Sequence, residues 1–165
     1  MLGALLCVLL AVPVPRPRDP PLWLVVEALY AAPGGESSRG PGAGARLGYR
    51  ITDQVSTAIG FSSLFARGGL VTALAAGFEA TLDATPVAPF IELSLVRTDP
   101  PERVGFSLAQ RSGFGFDWRF ARGLSLGLVV RYFAALDATD APVAASSMNG
   151  IEFGLRLLAV PGASR

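Results

Sequence analysis

The sequence predicts an all-β fold, an up-and-down antiparallel barrel of eight strands, and three observations carry that expectation. After residue 20 no apolar run reaches the roughly 18 residues that a membrane-crossing helix needs. The apolar residues fall instead in short segments between clusters of Gly, Pro, Asp and Ser, each about as long as the 10 residues of a tilted strand. Inside the segments, large apolar residues alternate with charged or small ones, the period of a strand. The glycines then fall in step with the charges: Gly44, Gly48, Gly77, Gly113, Gly115, Gly127, Gly150 and Gly154 all share the parity of the polar face.

The segments lie at 22–32, 42–52, 55–65, 70–82, 87–97, 113–121, 124–135 and 150–160. In the first, Glu27 alone marks the polar face, which also holds Trp23, Val25 and Leu29. The second is the clearest, with Ala43, Ala45, Leu47, Tyr49 and Ile51 opposing Gly44, Arg46, Gly48 and Arg50. The third carries no charge and sets Val55, Ile59 and Phe61 against Ser56, Gly60 and Ser62. In the fourth and fifth, Glu79 and Glu92 lie on one face, with Leu74, Phe78, Ile91, Leu93 and Leu95 on the other. The sixth opposes Asp117 and Arg119 to Phe114, Phe116, Trp118 and Phe120. In the seventh, Arg131 with Ser125 and Gly127 opposes Leu124, Leu126, Leu128 and Tyr132. The eighth opposes Glu152 and Arg156 to Ile151, Phe153, Leu155 and Leu157.

Composition narrows the chemistry. Of 165 residues 51% are hydrophobic and 16% charged, a higher apolar share than one ordinary soluble domain carries. The 14 basic residues, all Arg, nearly balance 13 acidic ones, so nucleic acid is not an expected partner. There is no His, which removes the usual general base and the commonest metal ligand. No catalytic residue, cofactor or metal site is expected. Glu79 and Glu92 sit among arginines and form no acid–base pair of an enzyme, and the short Gly113–Gly115 spacing is no phosphate loop.

Residues 1–20 read as a signal peptide with a proline-rich leader: an apolar core from Leu2 to Val12 precedes Pro13, Pro15, Pro17 and Pro20. Leu6 precedes the single cysteine, Cys7, where lipid attachment requires a small residue. The barrel domain is expected over 21–160, with a tail at 161–165.

Side-chain volume decides which face points inward. An eight-stranded barrel has a lumen just wide enough to be filled by side chains. Glycines interleaved with Arg and Glu suit that space, whereas a ring of Leu, Phe and Trp from every strand would overfill it. Outside, the bulky set forms the band that a transmembrane β-barrel shows to lipid. Leu47, Phe78, Leu93, Phe116, Leu126, Leu128, Phe153 and Leu155 are accordingly expected to face lipid, with Tyr30, Tyr49, Trp118 and Tyr132 as interfacial aromatics. Five acids, Glu27, Glu79, Glu92, Asp117 and Glu152, and five bases, Arg46, Arg50, Arg119, Arg131 and Arg156, are expected to form a lumen charge network.

The connections at Asp53-Gln54, Asp83 to Pro86 and Arg122-Gly123 are short, whereas Pro33 to Pro41, Thr98 to Ser112 and Leu136 to Asn149 are longer, although Ala66 to Gly69 is brief. Short periplasmic turns and long external loops are the usual arrangement. The run Gly113-Phe114-Gly115-Phe116-Asp117-Trp118-Arg119-Phe120, the turn at Arg122-Gly123 and the following Leu124-Ser125-Leu126-Gly127-Leu128 with Arg131-Tyr132 resemble the outer membrane protein A and opacity-protein group of small barrels.

That resemblance implies a Gram-negative outer membrane, insertion by the barrel-assembly machinery, and roles from envelope integrity to adhesion. Barrels of that group commonly end on an aromatic residue. This chain ends Val160-Pro161-Gly162-Ala163-Ser164-Arg165, with Glu152-Phe153-Gly154 keeping part of the signal. The functional expectation is a monomeric, closed-lumen structural or surface-interaction barrel. A narrow porin-like pore for ions or small solutes and a secreted lipocalin-like carrier are the alternatives.

Overall fold

Alternation of large and small residues leaves each segment with one face that must be covered by the chain itself and one that cannot be. A closed sheet satisfies both demands and leaves no backbone edge unpaired. The computed structural model describes residues 21–33, 40–66, 69–82, 86–99, 107–121, 123–136 and 150–161. The expected signal peptide with Cys7, most of the tail and the central parts of the longer connections lie outside the described residues.

The described residues form eight strands: β1 (Leu22–Pro33), β2 (Gly40–Arg50), β3 (Val55–Ala66), β4 (Gly69–Thr81), β5 (Val87–Asp99), β6 (Ser107–Ala121), β7 (Leu124–Ala135) and β8 (Gly150–Ala159). Each pairs antiparallel with its neighbour in sequence, and β1 pairs with β8 to close the barrel. The sequence places every strand in order and on the right parity. The largest departure is β6, which starts at Ser107 and not at 113. Its first turn of residues pairs fully with β5, Thr98 opposite Ser107 and Val96 opposite Ala109. Much of the expected 98–112 loop is thus strand.

A row of hydrogen-bonded neighbours starting at Leu22 passes through Tyr49, Thr57, Phe78, Leu93, Ser112, Tyr132 and Ile151. It re-enters β1 at Ala32, so the sheet closes with a stagger of ten residues, 32 less 22. For eight strands about 4.8 Å apart and a rise of about 3.3 Å per residue, this stagger sets a strand tilt of about 40°.

The turns follow local chemistry. Between β2 and β3 the Thr52 Oγ1 accepts hydrogen bonds from the backbone N–H of Gln54 at 3.3 Å and of Val55 at 3.0 Å. Gly123, at φ 71°, supplies the left-handed residue between β6 and β7. Pro89 sits within β5 facing outward, its carbonyl accepting the Leu82 N–H at 2.9 Å.

Candidate functional site

The two faces differ in size as well as polarity. All eight residues expected to face lipid are on the outer wall, between 40% and 64% exposed. Tyr49 and Trp118 lie on that wall near the end that carries the short turns, Tyr30 and Tyr132 near the opposite end. Inside, bulky side chains are accommodated by glycines directly opposite. Trp23 faces Gly48, Phe90 faces Gly115 and Asp117 faces Gly127. A Cβ built on Gly48 meets the Trp23 indole, one on Gly115 meets the Phe90 ring, and one on Gly127 meets the Asp117 carboxylate. The shared parity of glycines and charges therefore has a steric cause at these positions: Gly48, Gly115 and Gly127 are each the niche of a larger neighbour.

Eight of the ten expected network residues come together in the lumen: Glu27, Arg46, Glu79, Glu92, Asp117, Arg131, Glu152 and Arg156, all buried. Arg131 is the hub. Its guanidinium donates to Glu152 at 2.7 Å and to Glu27 at 2.5 Å, and it pairs closely with Glu92. Arg46 donates to Glu27 at 2.9 Å and Glu92 at 2.7 Å, and lies 3.6 Å from Glu79. Arg156 grips Glu79 with two parallel bonds of 3.0 Å and reaches Asp117 at 2.9 Å. The pairs join into one continuous chain from Glu152 to Asp117. Within it Glu79 and Glu92 stand directly opposite each other on β4 and β5. Like charges in that position repel, and Arg46 lies against both.

The remaining two expected members sit at the rim. Arg50 is half-buried as the last residue of β2, and Arg119 is exposed. At Arg119 the β6–β7 register shifts between Arg119 and Ala121, and such an irregularity breaks the alternation that predicted an inward position. One member escaped the sequence reading. Arg111 is 3% exposed, donates from Nε to the Ser94 hydroxyl at 3.0 Å and lies 3.8 Å from Glu92. It shares the parity of Gly113, Gly115 and Asp117, and extending β6 by that parity would have found it.

Apolar layers flank the charges. Trp23, Val25 and Ala58, with Leu158 and Val160 packed on them, fill the short-turn end. Ala73, Ala75 and Val96, with Phe133, fill the other. At the two margins aromatic rings meet guanidiniums: Arg156 stands 3.9 Å from the Phe90 ring centroid and Arg111 5.9 Å from that of Phe133. The described lumen is thus packed apolar, ionic, apolar along its length.

No protein-family model and no curated sequence matches the chain. Solved structures do. The N-terminal β-barrel domain of OprF from Pseudomonas aeruginosa is similar at 15% identity and a TM-score of 0.61, covering 83% of this chain and 96% of that one. Neisserial surface protein A is similar at 16% identity and a TM-score of 0.61, covering 84% and 95%. A de novo designed transmembrane β-barrel aligns at 13% identity and a TM-score of 0.55, covering 89% and 100%. The chain has the fold of the small eight-stranded outer-membrane barrels.

Proposed function

We propose that this chain is an integral outer-membrane protein with a closed, ion-paired lumen, and that its role is structural or one of surface interaction, without catalysis. The observation that carries this reading is the outer wall: on every strand the exposed positions hold large apolar residues, among them Leu24, Ile59, Phe78, Leu95, Phe114, Leu128 and Leu155. An apolar surface of that extent is unsuited to water and matches the lipid-facing band of a membrane barrel. The similar solved structures support it, two coming from bacterial proteins and one titled as a transmembrane design.

In this reading residues 1–20 direct export from a Gram-negative cytoplasm, the barrel-insertion machinery assembles the strands, and the short turns and both chain ends face the periplasm. The longer connections then face outward and carry any partner contacts. The barrel acts as a monomer in outer-membrane lipid. The test is gel mobility of the membrane fraction with and without boiling. A band that shifts on heating is expected, and a compact monomer soluble in plain buffer would overturn the proposal.

A narrow pore is the second reading, favoured by the inward-facing charges. Planar-bilayer recording separates the two: the closed-lumen reading predicts no sustained conductance. A lipocalin-like carrier requires an apolar calyx, whereas here Glu27, Arg46, Glu92, Arg131, Glu152 and Arg156 occupy the middle of the tube.

A further inference from the structure

Every strand except β3 brings a charged side chain into the lumen. Beside the ionic layer β3 presents Ala58, Gly60 and Ser62, all short, with Leu64 further along toward Gly42. Beside that thin wall lies a cavity of about 10 Å³, whose polar lining is Arg46, Glu79, Glu92, Ser94 and Arg111. Arg46 has a 7% exposed side chain whose two terminal nitrogens are held by Glu92 and Glu27, while its Nε has no hydrogen-bond partner. A buried donor left in that condition costs about 1–3 kcal/mol.

We propose that this cavity is a binding site for a single water molecule, which accepts from Arg46 Nε and donates to the carboxylates of Glu79 and Glu92. Size and chemistry both select water. The volume is about that of one water-sized sphere, the least a buried water occupies. A cation would meet the guanidiniums of Arg46 and Arg111, and an anion would meet two carboxylates. Water both donates and accepts and is small enough for the space, so it fits a lining of mixed sign. The carboxylates keep lone pairs beyond those engaged by their guanidinium partners. The inference concerns the lumen only and holds wherever the barrel resides.

A crystal structure of the refolded wild-type barrel, at a resolution that shows ordered solvent, tests it directly. One density peak within hydrogen-bond distance of Arg46 Nε is expected. A dry cavity, or an Nε that donates to a protein acceptor, overturns the proposal. An isosteric pair at the lining residue Ala75 gives an independent reading. Ala75→Thr and Ala75→Val both fill the space, but only Thr brings a hydroxyl to replace the water. In urea titrations at a common concentration, the unfolded-to-folded ratio of the Val variant should exceed that of the Thr variant by about fivefold. Equal ratios, or a less stable Thr variant, count against the water. If neither variant folds, the wild-type density decides.

Discussion

Arg46 links the Arg131 cluster to the Arg156 cluster, because Glu79 and Glu92 are placed directly across from one another and both lie beside its guanidinium. Arg46→Met is expected to cost about 3–5 kcal/mol, the penalty of stranding buried charge. Adding Glu92→Gln should recover part of that loss, since the repulsion goes with the charge. Urea unfolding of the detergent-refolded barrel, followed by the heat-sensitive gel band, measures both; no recovery in the double variant would contradict the role given to Arg46. Gly127→Leu is a steric counterpart. Its side chain would grow into the Asp117 carboxylate and the Arg156 stem, and a large drop in the refolded fraction is expected. At this scale the sequence was readable where a charge sat well inside a segment of clear alternation, as at Glu27, Arg131 and Arg156. It was misleading at Arg119, where the register shifts. It was silent at Arg111, because Ser112 and Gly113 resemble a loop boundary while in fact pairing with Leu93 and Glu92.

A strand exposes its residues to different depths of lipid along its length, so the cost of a charge depends on position. Leu93 stands at the centre of β5, and Leu126 only two residues into β7. Leu93→Arg should destabilise by about 2–4 kcal/mol, as at a bilayer midplane, whereas Leu126→Arg should cost about 1 kcal/mol or less if the short-turn end meets the interface. Equilibrium unfolding in lipid vesicles orders the two, and equal costs would mean that the outer wall does not span a bilayer. Period two made the strands legible because the outer and inner faces demand opposite volumes. Strand ends were less legible: β6 begins among Ser107, Leu108 and Ala109, whose alternation is real but weak in hydrophobic contrast. The third strand was correctly placed without any charge, on the alternation of Ile59 and Phe61 with Gly60 and Ser62.

For the barrel as a unit, stability is expected to be nearly indifferent to ionic strength. Screening by salt acts on charges in solvent, with a Debye length of about 10 Å at 0.1 M and about 3 Å at 1 M, and acts much less on buried pairs. The Arg131 and Arg156 side chains are wholly enclosed, and the described rim pair Arg97–Asp99, at 3.4 Å and more than half exposed, is of a kind that contributes little. The urea midpoint should therefore stay nearly constant from about 0.05 to 1 M NaCl; a marked fall would place the network in contact with solvent. Architecture was legible at this scale because the two faces constrain each other. The ionic chain was only partly so, since which acid meets which base depends on the ten-residue stagger, a property of all eight strands together that no single segment contains.

That closure has a topological corollary. Leu24 of β1 lies opposite Ala159 of β8, so the first and last strands are zipped to one another like any other neighbours. The strands form a necklace with no privileged first bead. A circularly permuted gene that joins 161 to 21 through a short linker, and opens the chain within 137–149, should yield the same cylinder with the same partners across every seam.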